Sequence, residues 1–482
     1  MSVLRPDLCV PDLCVIGAGS GGLAVAAGAA QMGARTVLIE AGEMGGDCLN
    51  RGCVPSKALI AAATAADAHR TSASFGVAAD EPAIDYAAVM DHVQSVIAAI
   101  APHDSQQRFE GLGVTVIRER ARFLDPRTVE VGGARIAARR FVIATGSSPA
   151  IPPIPGLEEA GYLTSDTLWE NRDLPSHLAV IGAGPIGLEM AQAHRRLGAR
   201  VTVLEAAGAL AAEDPETAAI ALARLRAEGI DLREGVRIAS ARRQESGPAV
   251  LLEGGETIAG SHLLVATGRR ASVEGLGLDA AGVAHDKRGV TVDRGLRSVS
   301  NRRVYAIGDV AAVDGAGGLQ FTHVAGHQAG LVIRSALFRL PVRYDPDVVP
   351  RVTYTDPELA QVGLTEPQAR ARHGRIEVAR FPFAENDRAR TGLATEGLVK
   401  AVIGRRGRIL GASIVGAHAG ELVHLWALAL SKRLTIGDMA GYVAPYPTLG
   451  EASKRAAGAY FVPRLFESRA VARVVRLLSR LG

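Results

Sequence analysis

The chain is punctuated by short, wholly apolar runs that stop at glycine. Leu13-Cys14-Val15-Ile16 leads into Gly17-Ala18-Gly19-Ser20-Gly21-Gly22 and then an Ala-rich, helix-like stretch. A second run, Thr36-Val37-Leu38-Ile39, ends on Glu40. Brief continuous apolar runs bounded by turn residues predict buried strands of a parallel sheet. Strand, G-x-G-x-x-G, helix, strand and acidic residue together form the βαβ arrangement of a dinucleotide site. Gly17 makes the tight turn, Gly19 lets the backbone approach a pyrophosphate, and Gly22 lets helix and strand close. Glu40 is placed to accept from a ribose diol.

The pattern then repeats. Leu178-Ala179-Val180-Ile181 leads into Gly182-Ala183-Gly184-Pro185-Ile186-Gly187, a helical stretch, and Val201-Thr202-Val203-Leu204-Glu205. A carboxylate at Glu205 pairs with a free 2′-hydroxyl and repels a 2′-phosphate. Ala206 and Ala207 offer no arginine to hold such a phosphate, so the second site predicts NADH rather than NADPH. Each clamp has a later echo, Phe141-Val142-Ile143-Ala144-Thr145-Gly146 and Leu263-Leu264-Val265-Ala266-Thr267-Gly268. A further run, Val304 to Ile307, ends on Gly308-Asp309, where Asp309 would meet a ribityl hydroxyl.

Chemistry enters with Gly45-Gly46-Asp47-Cys48-Leu49-Asn50-Arg51-Gly52-Cys53-Val54-Pro55-Ser56-Lys57. Pro55 suits the first turn of a helix, which places the Cys53 thiol at the positive end of a helix dipole, where a thiolate is favoured. Residues five apart in a regular helix are offset by roughly 7.5 Å along the axis. A disulfide needs Cα atoms about 4.4–6.8 Å apart. If the two are to bond, Cys48 must lie in a distorted turn, for which Gly45, Gly46 and Gly52 supply freedom. Such an accessible pair reads as redox-active; two free helix cysteines are the plainer alternative.

Composition narrows the class. A chain of 482 residues, 48% hydrophobic but only 4% aromatic, with 55 glycines, predicts a multidomain α/β enzyme. Of the four cysteines, Cys9 and Cys14 fall in a tandem echo, and Cys14 reads as a small core residue. Sparse cysteine fits a reducing compartment, and the cytoplasm is the expected location. No signal peptide and no uninterrupted membrane-length apolar run is evident in the sequence. Arginines 464, 469, 473, 476 and 480 against Glu467 account for the whole formal net charge of +4. A neutral body with one basic tail argues against a nucleic-acid surface. No metal-ligand pattern stands out.

From about Leu13 to Ala457 these motifs resemble the FAD-dependent pyridine nucleotide–disulfide oxidoreductases, the group of dihydrolipoamide dehydrogenase, glutathione reductase and mercuric reductase. The resemblance implies two Rossmann-type domains and a C-terminal α/β dimerisation domain. The expected division is residues 1–155 for FAD and the redox pair, 156–275 for NAD, 276–345 central, 346–463 for dimerisation, and 464–482 a basic tail. It implies that Cys53 faces the flavin, that Cys48 meets substrate, and that Lys57 pairs with Glu189 near the flavin. The cofactor-binding set is then Gly17, Gly19, Gly22, Glu40, Gly46, Lys57, Thr145, Gly146, Gly182, Gly184, Gly187, Glu205, Gly268 and Asp309. A homodimer is expected, with a thiol or disulfide acceptor.

Two features depart from that pattern. The signature His-Pro-x-x-x-Glu reads Tyr446-Pro447-Thr448-Leu449-Gly450-Glu451 here. Histidine exchanges protons near neutral pH, whereas tyrosine titrates near 10 and is a poor base. Mercuric reductases share the tyrosine, yet carry a further cysteine pair near the C-terminus and typically read NADPH; no cysteine follows Cys53 here. A metal-ion reductase is therefore the alternative to a lipoamide-type enzyme, and an electron-transfer partner of a membrane protein or quinone is a third reading. His418 and His424 read as ordinary core or surface histidines. The second departure is the tail. Leu465 to Leu481 predicts one helix with Arg469, Arg473, Arg476 and Arg480 on one face and Val471, Val474, Val475, Leu478 and Leu481 opposite. Such a helix lies on an anionic membrane, docks on a partner, or packs on its own dimer.

Overall fold

A computed structural model describes residues 10–316 and 318–480; Cys9 and Leu481 lie outside the described residues. The chain forms two compact units. Among the described residues, the first comprises 10–182, 196–200 and 237–345, and the second 183–195, 201–236 and 346–480.

The first unit is built on a five-stranded sheet in the order Val304–Ala306, Phe141–Ile143, Leu13–Ile16, Thr36–Ile39, Thr115–Ile117. All four pairings are parallel. Its central strands are buried along their whole length, which is why they read as unbroken apolar runs rather than alternating ones. Cys14 sits in this core, as expected for a small hydrophobe. Helix Ser20–Gln31 packs against helix Thr322–Phe338. A Cβ on Gly28 would stand 2.6 Å from Ile333 Cδ1, so the small residue sets how closely these helices approach.

The two Ala-Thr-Gly echoes prove to be partners. The segments just beyond them, Ser147–Pro149 and Arg269–Ala271, pair as antiparallel strands. Thr145 Oγ1 donates to Ser272 O and Thr267 Oγ1 to Ala150 O, each at 2.8 Å, so each threonine ties its own strand end to the other's continuation.

In the second unit a five-stranded antiparallel sheet runs Arg351–Thr353, Glu358–Gly363, Ile409–Gly416, Leu398–Ile403, Glu377–Pro382. Trp426, fully buried on helix Ala419–Ser431, donates through its indole to Ser453 Oγ (3.1 Å) on helix Glu451–Ala459. The tail helix is shorter than expected: it runs Arg469–Leu478, with Ser468 capping its start by accepting from Val471 N, and a separate short turn, Val462–Leu465, precedes it. Val474, Val475, Leu477 and Leu478 are exposed. Among the described residues no helix is long and apolar enough to cross a membrane.

Candidate active site

The redox run folds as two helices with a break between them. Gly46–Asn50 carries Cys48, the chain turns at Arg51 and Gly52, and Cys53 opens the long helix Cys53–Thr71. The expected distorted turn is thus a helix break. Gly52 keeps that turn close, since an added Cβ would lie 2.9 Å from Asp47 Oδ2 and 3.2 Å from Asp47 O and would push the Asp47 carboxylate aside. At the other end, Gly46 has φ +62° and its Cβ would stand 2.6 Å from Gly19 Cα, so the redox run begins against the glycine loop of the first clamp.

Both sulfurs are thiols and hydrogen-bond each other. That bond, opposed by burial and aided by Thr322 and Lys57, brings the Cys53 thiol down to about 6. The same bond, with burial, pushes the Cys48 thiol up. Thr322 Oγ1 lies 3.3 Å from Cys53 Sγ, at the start of helix Thr322–Phe338. One thiolate and one protonated thiol at neutral pH is the arrangement of an activated dithiol.

The first clamp has the form of a dinucleotide cradle. Gly17 (φ +105°) leaves no room for a side chain, because a Cβ would overlap the Ala144 carbonyl, and a Cβ on Gly22 would overlap Gly17 O. A Cβ on Gly19 would meet nothing nearer than Gly46 Cα at 4.0 Å, so space is left on that side of the loop. Glu40 Oε2 accepts from Ala18 N (2.5 Å) and Oε1 from Gly42 N (2.6 Å). These bonds fix the carboxylate at the loop and leave lone pairs for a diol. Asp309 accepts from Ser147 Oγ at 2.6 Å, and burial raises its carboxyl above the usual range. Thr145 is committed to Ser272, so its side chain serves the framework, while Gly146 has open space around it.

The second clamp repeats these details. A Cβ on Gly182 (φ +107°) would collide with the Ala266 carbonyl, and Gly184 and Gly268 face open space. Glu205 Oε2 accepts from Ala183 N (2.8 Å) and Oε1 from Ala207 N (2.9 Å), the same two positions that Glu40 uses. Gly187 lies on helix Pro185–Arg196. Glu189, on that helix, is only 5% exposed, and its Oε1 accepts from Tyr354 N at 2.9 Å.

Two models of known families cover most of the chain: pyridine nucleotide-disulphide oxidoreductase over residues 11–329, and the dimerisation domain of the same family over residues 349–457. The chain belongs to the pyridine nucleotide–disulphide oxidoreductases. It is 35% identical over 453 residues to a mercuric reductase of Lysinibacillus sphaericus, covering 92% of this chain and 82% of that one. It is 38% identical to a dihydrolipoyl dehydrogenase of Thermus scotoductus, covering 93% and 97%. Among solved structures it is similar to the Cu(II) complex of the HOCl-induced flavoprotein disulfide reductase RclA from Escherichia coli. That likeness has a TM-score of 0.81 at 28% identity, over 92% of this chain and 98% of that one. As an oxidoreductase of this family the protein is a flavoprotein using FAD and a nicotinamide nucleotide, with a redox-active disulfide and a dimerisation domain.

In the oxidoreductase's C-terminal part, Tyr446 is 69% exposed, and its hydroxyl donates to Asp387 Oδ2 at 2.8 Å. Asp387 thereby holds the phenol above its ordinary pKa. Glu451 instead takes Arg455 at 3.0 Å, one turn along its own helix. His424 Nδ1 stays on its own helix, 3.0 Å from Glu421 O, and His418 is exposed. Sequence reasoning missed Thr322, Asp387 and Arg269. Arg269 directly follows the second Ala-Thr-Gly and could have been noticed; Thr322 and Asp387 carry no local signal.

Proposed function

We propose that this oxidoreductase uses NADH and FAD to reduce a disulfide or thiol-bound acceptor through Cys48 and Cys53. The observation behind this reading is the setting of the two sulfurs: Cys53 opens the long helix with Thr322 Oγ1 3.3 Å from its sulfur, surroundings that bring its thiol down while that of Cys48 is pushed up. FAD, when bound, accepts a hydride from the nicotinamide and passes the electron pair to sulfur. In each cycle NADH and one proton are consumed, one acceptor disulfide becomes two thiols, and NAD⁺ leaves. Cys53 lies at the helix start beside Lys57, and Cys48 is the sulfur that exchanges with the acceptor. The roles of Lys57, Glu189, Tyr446 and Glu451, and the division into FAD, NAD, central and dimerisation domains, belong to this proposal. NADH is favoured because Glu205 stands where a 2′-phosphate would come, and Arg233, whose carbonyl accepts from Glu205 N at 2.9 Å, has its guanidinium paired with Asp231 at 2.8 Å. A homodimer follows from the dimerisation domain.

A second reading, reduction of a soft metal ion held by the thiol pair, is favoured by Tyr446. A thiol-bound metal needs no proton exchange from that position, and mercuric reductases are among the similar proteins. Contact of the tail with an anionic membrane is a separate proposal resting on one helix, which lies past the family match at residue 457.

Anaerobic turnover of the purified flavoprotein with NADH separates these readings. Lipoamide is one acceptor and Hg(II) or Cu(II) the other, with Cys48→Ser as control. Fast lipoamide turnover that Cys48→Ser abolishes supports the first reading. Turnover with metal alone replaces it with the second.

A further inference from the structure

Arg269 bonds several groups close to the redox pair, and nothing in the proposed chemistry uses it. Its guanidinium is only 10% exposed. Nη2 lies 3.2 Å from Asp47 Oδ1 and 3.0 Å from Ser147 O. Nε donates to Ser147 Oγ at 2.7 Å and lies 3.9 Å from Asp309 Oδ2, while Nη1 reaches Ser165 Oγ at 3.3 Å. A third carboxylate belongs to the same cluster: Asp166, whose Oδ1 is buried without a hydrogen-bond partner among the described residues. Burial and the charge of Asp47 both raise Asp166, while Arg269 and Arg51 oppose that rise. One buried cation therefore serves several carboxyl groups.

Asp47 links this cluster to the sulfurs. It precedes Cys48 in the short helix, its carbonyl accepts from Arg51 N at 2.8 Å, and its carboxylate lies against Gly52 at the helix break. A carboxylate at that place opposes an anion on Cys53. The other groups acting on the pair are Lys57 on the Cys53 helix, Thr322 on the facing helix, and Ser20, which bonds Cys48. Lys57 is the cation among those favouring the thiolate, and Asp47 is the group whose charge works against it.

We infer that Arg269 is a positioning residue of the redox pair, holding and partly neutralising Asp47 so that this carboxylate opposes the Cys53 thiolate less than it would alone. The inference rests on Cys48 and Cys53 being the redox pair, but not on the identity of the acceptor. Through Ser147 and Asp309 the same guanidinium ties the redox turn to the strand end expected to meet the cofactor's ribityl chain.

The test is a pH profile of alkylation on the reduced holoenzyme, with no acceptor present, so an error in the assigned acceptor does not affect it. Iodoacetamide is pulsed from about pH 4.5 to 9, thiolate being the reactive form. Trypsin cuts after Arg51, so Cys48 leaves in residues 36–51 and Cys53 in residues 52–57, and mass spectrometry reads each separately. Arg269→Gln should slow Cys53 alkylation at pH 6 about three- to tenfold, the size of effect that one uncompensated neighbouring charge produces. Adding Asp47→Asn should restore the rate, and Asp47→Asn alone should match or exceed the native rate at low pH. An unchanged profile in Arg269→Gln overturns the inference. So does a double variant as slow as the single one, which would leave Arg269 a merely structural bond holder. Should Arg269→Gln fail to fold, a fall in rate with Asp47→Asn alone overturns it equally.

Discussion

Tyr446 donates its hydroxyl to Asp387 at 2.8 Å, and this carboxylate holds the phenol above its ordinary pKa at the position where the resemblance to lipoamide dehydrogenases implies a histidine. Replacing Tyr446 by histidine should raise lipoamide turnover by about 10²–10⁴-fold, the usual contribution of general acid–base help. Steady-state rates of the two proteins decide it. Equal rates would mean that the proton carrier sits elsewhere.

Asp387→Ala should return the Tyr446 phenol toward its ordinary pKa of about 10. An ultraviolet difference titration, with Tyr446→Phe to identify the transition, would show the tyrosinate appearing at lower pH than in the native protein.

The hydroxyl of Thr322 stabilises the Cys53 anion directly. With the thiol held at about 6, alkylation of Cys53 should be flat above neutrality and fall roughly tenfold per pH unit below that value. Thr322→Val should shift the whole profile upward in pH. A superimposable profile would show that the 3.3 Å contact contributes nothing to ionisation.

On the proposed reading, in which Glu205 selects NADH, Glu205→Ala should lower the NADH-to-NADPH ratio by about tenfold or more, because a charge-assisted bond to the ribose would be lost and a repulsion lifted. Paired kcat/KM values for the two nucleotides report it, and an unchanged ratio would remove Glu205 from nucleotide choice.

Lys400 is the hub of the second unit. It is 2% exposed, and its Nζ lies 2.8 Å from Asp214 and Glu216 and 2.9 Å from Glu366. Burial alone would lower its pKa, but the three carboxylates outweigh burial and raise it. Lys400→Met should cost about 3–5 kcal/mol in chemical denaturation, since it takes the cation from fully buried Asp214, which keeps only the backbone donors of Glu216 and Glu366. Glu216, bonded by Arg380 and Lys400, is depressed from 4.5 to about 2. Its contribution to stability is therefore complete above pH 4.5 and fades as pH falls toward 2. Denaturation midpoints across that range should show the native protein losing more stability than Lys400→Met.

The two clamps and the redox pair were legible because backbone chemistry dictates them. A buried parallel strand has to be apolar, and the turn after it has to be glycine. What stayed hidden depends on distant approach. Thr322 meets Cys53 across 269 residues of chain, and Arg269 meets Asp47 only because the two Ala-Thr-Gly strand ends are knitted together. The tail shows the opposite failure: a continuous helical periodicity concealed the local capping bond at Ser468 that sets where its helix starts.

At Gly17 and Gly182 the obstacle to a side chain is the main-chain oxygen of Ala144 or Ala266, an atom that every amino acid carries. A defect introduced at either glycine is thus beyond repair by compensating substitution at its neighbour, because no exchange of residue there removes the carbonyl. These two positions should behave as dead ends in suppressor screens, where ordinary packing defects in the surrounding core readily find second-site partners.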